Sequence, residues 1–327
     1  MKRTRARPTD QQPQKNRGWS AEEYAALAAF DGEWRDLWWN QDFLELMAVR
    51  WRLSAVQSVL DVGCGAGHWC QMLATVLPKD ARIVGVDHES SFLETARERA
   101  TARCLPQHFE YRTASAEQLP FEESTFDLVT CQTVLIHVAD ARAALTEMLR
   151  VVKPGAIVVA AEPNNLVNTL GEGTTEPMPP FEETLRLLRF EELCHRGNIA
   201  LGHGDASLGE KLPGIFAELG FREIAVYSND KCPALYPPYD TREQRLDLEQ
   251  LFHWIDADVS GWGDKEAVRV LYLAAGGDAA EFERDWQLQL ERGRAFKANV
   301  QAGRFHGARG HLQYLVSGRK RLQHATD

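Results

Sequence analysis

Three glycines at alternate positions, Gly63, Gly65 and Gly67, follow the apolar run Val59-Leu60-Asp61-Val62, which carries a single carboxylate. Glycine there allows positive φ and lets a ligand approach the main chain closely. The dinucleotide pattern G-x-G-x-x-G is not met, because His68 stands where its third glycine belongs, and the spacing reads D-x-G-x-G-x-G. A second carboxylate, Asp87, ends the apolar run Arg82 to Asp87, twenty-six positions after Asp61. At that place it can accept both hydroxyls of a ribose. Three more polar groups close later runs: Ser115-Ala116-Glu117, then Gln132-Thr133 with His137 just beyond, then Glu162 and Asn164. Together they suit a ligand with a zwitterionic end and a sugar.

Such groups converge only if each run is a strand of one parallel sheet. Ser58–Val62, Arg82–Asp87, Phe109–Thr113, Phe126–Cys131 and Ala156–Ala161 read as strands 1 to 5, separated by amphipathic or capped helical segments. Asn40 and the box Ser91-x-x-Glu94 are expected helix N-caps, and Lys153-Pro154-Gly155 an expected turn into strand 5. Repeated strand–helix units of this length imply an α/β, doubly wound, Rossmann-like, mostly parallel seven-stranded sheet with helices on both faces. Ligands of such sheets bind at the carboxyl ends of the strands, near the switch point.

Residues 57–162 resemble the S-adenosylmethionine (SAM) binding core of class I methyltransferases, of the ubiquinone/menaquinone-biosynthesis type. The matching pieces are Leu60 to Gly67, Gly85-Val86-Asp87, Ala116 to Phe121 with Phe126-Asp127-Leu128-Val129, and Leu149 to Gly155. The resemblance implies that Asp61 and the glycines hold the methionine end, Asp87 the ribose, and Ser115, Ala116 and Glu117 the adenine edge, with Gln132 at the same site. Ser115 departs from the aspartate often found there and accepts a hydrogen bond more weakly. His137 is the first candidate for a general base, or else packs its loop. Glu162 and Asn164 bind acceptor hydroxyls or amines, or else finish the hydrogen bonding of their strand. No His/Asp/Cys cluster has ligand spacing, so no metal is expected.

The chain divides by pattern into a basic disordered tail (1–18), a helical arm rich in aromatics (19–56) and the core (57–162). A lid loop with a helix (163–205) follows, then a helix and strand 6 that end the core (206–231). A helical insertion that caps the substrate (232–309), strand 7 (310–318) and a flexible tail (319–327) complete it. The arm's rings pack it onto the core or line a pocket wall. In the lid helix Phe181, Leu185 and Leu188 share a face, and strand 7 is expected to form a hairpin with strand 6 at the sheet edge.

A net charge of −10 over 327 residues argues against bulk binding of nucleic acid or an anionic membrane. There is no apolar run long enough for a membrane span and no secretory leader pattern, and the six cysteines include no C-x-x-C pair. A cytoplasmic protein with reduced thiols is expected. The reading is a SAM-dependent methyltransferase acting on a small organic acceptor. Its alternatives are an enzyme that methylates protein or nucleic acid, anchored by the basic tail and Gly318-Arg319-Lys320-Arg321, and a non-catalytic SAM-binding scaffold. A homodimer through the amphipathic helix faces is a further expectation.

Overall fold

The computed structural model describes residues 32–168, 179–308 and 312–322. The expected basic tail, the first part of the arm, most of the lid loop and the last five residues lie outside the described residues. Seven strands form one sheet: β1 (Ser58–Val62), β2 (Arg82–Asp87), β3 (His108–Thr113), β4 (Phe126–Gln132), β5 (Val152–Pro163), β6 (Arg222–Ser228) and β9 (Gln313–Arg319). Their order is β3-β2-β1-β4-β5-β9-β6. β1 to β5 are parallel, and β9 is antiparallel to both of its neighbours. Two short strands, β7 (Ala234–Leu235) and β8 (Gly307–Ala308), pair separately.

Alternation along the strands builds two cores. Val59, Ile83, Leu128 and Ile157 face one layer, with Trp69 and Leu73 of α2 (His68–Ala74) and Leu44 and Met47 of α1 (Gln41–Trp51). Leu60, Val84, Val129 and Val158 face the other, with Leu145 and Met148 of α4 (Ala141–Val151) and Phe216 of α7 (Leu212–Glu218). Both faces are covered, which is why the parallel strands read as continuous apolar runs. α3 (Ser90–Ala102) packs beside β2 and β3.

The final strand departs from expectation. It does pair with β6, but it lies inside the sheet between β5 and β6, so β6 is the edge. The burial explains the order: Leu315, Val316 and Ser317 are almost fully buried, whereas β6 alternates with exposed residues. The expected tail 319–327 also begins too early. Arg319 is the last residue of β9, and Lys320 donates to the carbonyls of Arg150 and Val152. Strand 5 starts at Val152, and Lys153-Pro154-Gly155 is an irregularity within it rather than a turn before it.

Local caps differ too. Glu89, not Ser91, caps α3 by accepting from the Ser91 N–H, whereas Asn40 stands at the N-cap position of α1 as expected, with its side chain donating to Asp230. After β5 come α5 (Asn165–Asn168) and α6 (Phe181–Ala200). Phe181 and Leu185 of α6 are exposed; the helix buries Phe190 and Cys194 instead. These pack on Val268 and Tyr272 of α9 (Lys265–Ala274) and on Phe282 and Trp286 of α10 (Ala279–Gln301). With α8 (Arg242–Asp256), held at its start by a Thr241/Gln244 capping box, α9 and α10 fill the insertion between β6 and β9.

Candidate functional site

β1 and β4 are neighbours at the point where the strand order reverses, and their carboxyl ends carry the glycine loop and Gln132-Thr133. The loop has Gly63, Gly65 and Gly67 at φ of 66°, 51° and 81°, a conformation side chains rarely adopt. Their surroundings differ. A Cβ on Gly63 would lie 2.5 Å from Val134 Cγ2, and one on Gly67 would lie 2.7 Å from Gln71 Nε2. A Cβ on Gly65 would meet nothing within 4 Å. Gly63 and Gly67 are therefore required by packing, while Gly65 faces an open cradle.

The glycine N–H groups were expected to meet the ligand. Two of them are engaged within the protein: Gly65 N–H donates to Asp87 Oδ2 at 2.8 Å and Gly67 N–H to the Cys64 carbonyl at 2.8 Å. The loop thus serves by shape at these positions. Asp87 also accepts from Glu89 N–H at 3.0 Å, and burial raises its pKa. A carboxylate fixed by two backbone donors keeps its remaining lone pairs in a set direction, as recognition of a diol requires.

Asp61 is 1 % exposed, and neither carboxylate oxygen receives a well-formed hydrogen bond. Burial pushes its pKa to about 8; the nearby Cys70 thiol and N–H oppose this most, the neighbouring Asp87 adds to it, and the Arg35 charge opposes it. A buried acid without a donor costs free energy unless something binds there. An ammonium group would supply both the charge and the donors.

The segment expected at the adenine edge lies next to Asp87, the carboxylate expected at the ribose, because Asp87 pairs in register with Thr113 and Ala114 N–H donates to the Asp87 carbonyl at 2.9 Å. Ser115 to Gln118 form a tight turn in which Ser115 Oγ accepts from Glu117 N–H. Ser115 and Glu117 are exposed, and Ala116 is half-buried against the core. Gln132 is buried at the end of β4. Thr133 follows at φ 53°, the left-handed region, with its N–H on the Ala161 carbonyl. Asp61, the glycines, Asp87 and the turn 115–117 therefore lie at the carboxyl ends of the neighbouring strands β1, β2 and β3.

The acceptor-side residues divide. His137 is half-buried at the end of the 3-10 turn Leu135–His137, and burial together with the Arg35 charge lowers its pKa to about 4. It is a neutral imidazole at pH 7. Glu162 is fully buried and accepts from the N–H groups of Val134, Leu135 and Ile136 at 3.0, 3.0 and 3.3 Å. Burial raises its pKa to about 7 against the pull of these donors. Its oxygens hold the turn that carries His137. Asn164 donates to Glu210 and accepts from Val167 N–H. Of the two roles open to Glu162 and Asn164, completing the local hydrogen bonding is the one these atoms perform here. Among the described residues no group of three or more His, Cys, Asp or Glu could hold a metal ion.

The arm supplies residues that motif reading missed. The 3-10 segment Glu33–Trp38 packs on α2 and α8. Arg35 Nη2 donates to Thr133 Oγ1 at 3.0 Å, and the guanidinium lies 5.0 Å from the Trp38 ring centre. Asp36 accepts from His68 Nδ1, Arg99 and Arg103 at 2.7, 2.8 and 3.2 Å. Burial opposes ionisation of Asp36, but the bonds and charges of His68 and Arg99 prevail and hold its pKa at about 2. An adjacent Arg-Asp pair inside an otherwise aromatic stretch was the available signal.

Residues 60–160 match a family model described as a methyltransferase domain. The chain is similar to the demethylmenaquinone methyltransferase of Lactiplantibacillus plantarum, at 37 % identity over 34 % of this chain and 46 % of the relative. It is also similar to that of Oceanobacillus iheyensis, at 36 % identity over 38 % of this chain and 50 % of the relative. The chain thus spans about half the length of these curated relatives. Among solved structures, the YcgJ protein of Bacillus subtilis aligns with 87 % of this chain and 100 % of its own, at 19 % identity and a TM-score of 0.47.

Proposed function

We propose that this chain, whose residues 60–160 match a methyltransferase-domain model, is a class I, S-adenosylmethionine-dependent methyltransferase that methylates a small organic acceptor in the cytoplasm. The observation that carries the reading is the buried Asp61 carboxylate, which receives no well-formed hydrogen bond, beside the Gly65 cradle and the fixed Asp87 carboxylate. SAM, when bound, supplies a methyl group on a sulfonium that a nucleophile displaces in line. The chain's own residues then bind, align and exclude water. Asp61 takes the ammonium end, Asp87 the ribose hydroxyls, and Ser115, Ala116 and Glu117 the adenine edge, with Gln132 behind. His137 is a neutral acceptor for an acceptor proton; with its pKa lowered to about 4, first by burial and then by the Arg35 charge, it is a weak base.

A small acceptor is supported by three features. The curated relatives are named for one, demethylmenaquinone. The arm is covered by the insertion, with Trp34 edge-on to Trp254 at 6.0 Å and Arg242 paired to Glu33. Two of the cations suggested as a polyanion anchor are engaged inside the fold, Arg319 on the Trp51 carbonyl and Lys320 on the carbonyls of Arg150 and Val152. Glu162 and Asn164 support the acceptor wall from behind.

Calorimetric titration with SAM and with S-adenosylhomocysteine tests the cofactor site, followed by a screen of phenolic, enolic and amine acceptors with labelled methyl. Both ligands bind one site, and Asp87→Ala weakens both by roughly ten- to a thousandfold, the range for losing one or two hydrogen bonds to a charged group. Cofactor binding without label transfer to any small acceptor, but with transfer to protein or RNA, would refute the acceptor class.

A further inference from the structure

We propose that Arg35, on the arm, holds the carboxylate of the cofactor's methionine end, with Asp36 as the residue that positions it. The inference rests on the methyl-transfer reading above. A zwitterionic amino-acid group needs a carboxylate for its ammonium and a donor set for its carboxylate. Asp61 answers the first need, and the glycine loop does not answer the second at Gly65 or Gly67, whose N–H groups are bonded to Asp87 and to the Cys64 carbonyl.

The cations around the loop narrow the choice. Arg99 and Arg103 are both on Asp36, and Arg97 donates to the Tyr111 carbonyl. Arg35 alone of these four reaches the switch point, through its bond to Thr133 at the carboxyl end of β4, the strand that pairs with β1 alongside Asp61. Its charge is felt both by Asp61 and by His137, so the guanidinium lies within electrostatic reach of both. One Nη atom is on Thr133, and the planar fork offers five N–H donors in all, which suits a carboxylate.

Asp36 explains why Arg35 is held there. The arm enters the described structure as a short 3-10 segment, which by itself fixes little. Its Asp36 carboxylate is tied to His68, the residue after Gly67, and to Arg99 and Arg103 of the neighbouring helix and its end. The arm is thereby fastened to the same loop that cradles the ligand. Trp39 adds to this by packing on Trp69 at 4.7 Å.

The test compares SAM with its decarboxylated analogue, which keeps the amine, sulfonium, ribose and adenine. The wild-type protein binds SAM more tightly than the analogue. Arg35→Gln lowers that preference by roughly ten- to a hundredfold, the size of a charge-assisted bidentate contact, and leaves analogue affinity unchanged. Arg35→Lys keeps part of the preference, because it retains the charge and loses the fork. Asp36→Asn lowers the preference less than Arg35→Gln. An Arg35→Gln protein that binds the analogue normally and still prefers SAM as the wild type does would overturn the proposal. So would equal weakening of both ligands, which would assign Arg35 to arm docking. Failure of both ligands to bind the wild type would overturn the methyl-transfer reading and this inference together.

Discussion

On the proposed reading, Asp61 makes cofactor binding a proton-releasing event. Its pKa of about 8 in the ligand-free protein, set first by burial, means that about nine in ten molecules carry the proton at pH 7. Ionising it there costs about 1.4 kcal/mol, one pKa unit, and an ammonium placed against a buried carboxylate exceeds that. The ligand's own α-amino group, with an ordinary pKa near 8, is about nine-tenths protonated at pH 7 and takes up only about 0.1 proton. Binding at pH 7 should therefore release about 0.8 proton. Affinity should rise from pH 6 to a maximum close to pH 8 and fall above it, as the ligand amine loses its proton. Titration calorimetry at pH 7 in phosphate and in Tris, whose ionisation enthalpies differ widely, reads the released protons from the change in apparent enthalpy. Asp61→Asn should bind weakly with no release attributable to this group. The same shift has a stability sign. An acid whose folded pKa lies above its unfolded value of 3.8 favours folding at low pH, and that contribution is lost as pH rises through about 8. Ligand-free protein should thus show a falling thermal midpoint across that window, with the fall reduced in Asp61→Asn. No proton release at pH 7, or equal release from the variant, would refute the reasoning.

Two further outcomes follow from packing. Gly63→Ala would drive a methyl group into Val134 and should lower the thermal midpoint, whereas Gly65→Ala carries mainly the left-handed backbone cost of roughly 1–2 kcal/mol and should fold but lose cofactor affinity; an unfolded Gly65→Ala or a fully binding one would contradict the open cradle. Glu162→Ala leaves the N–H groups of Val134, Leu135 and Ile136 without their acceptor, and urea denaturation should show a loss of about 3–5 kcal/mol. A wild-type urea midpoint combined with a raised acceptor KM would instead assign Glu162 to acceptor binding.

Legibility in the sequence followed the range over which each feature is determined. Strands 1, 2 and 4 were readable because a strand buried on both faces is largely apolar, and the D-x-G-x-G-x-G loop because glycine's positive φ leaves a local mark. The place of β9 was not, since nothing within residues 313–319 says whether β6 or β5 flanks it on the outer side; that depends on burial contributed by strands some 85 to 160 positions away. Glu162 looked like an acceptor-side acid because sequence gives its strand end but not the three amides that turn back onto it. Arg35 was passed over for the same reason, as its partner Thr133 lies 98 positions away. The face of α6 failed at Phe181 and Leu185, where apolar spacing alone does not say which turns of a helix find a neighbour.

The insertion between β6 and β9 begins and ends at one place. Asn229 N–H donates to the Gln313 carbonyl at 2.9 Å, and Ser228 pairs with Tyr314, so the two strands form a hairpin whose loop happens to contain three helices. Closing a hairpin through about 80 residues instead of about four costs roughly 2–3 kcal/mol more in chain entropy, and helices that fold within the loop shorten its effective length and offset that cost. The sheet requires of this loop only that its ends meet. Its helices are in consequence a cassette: their lengths can be exchanged through evolution, or by design, while β6 and β9 keep their register.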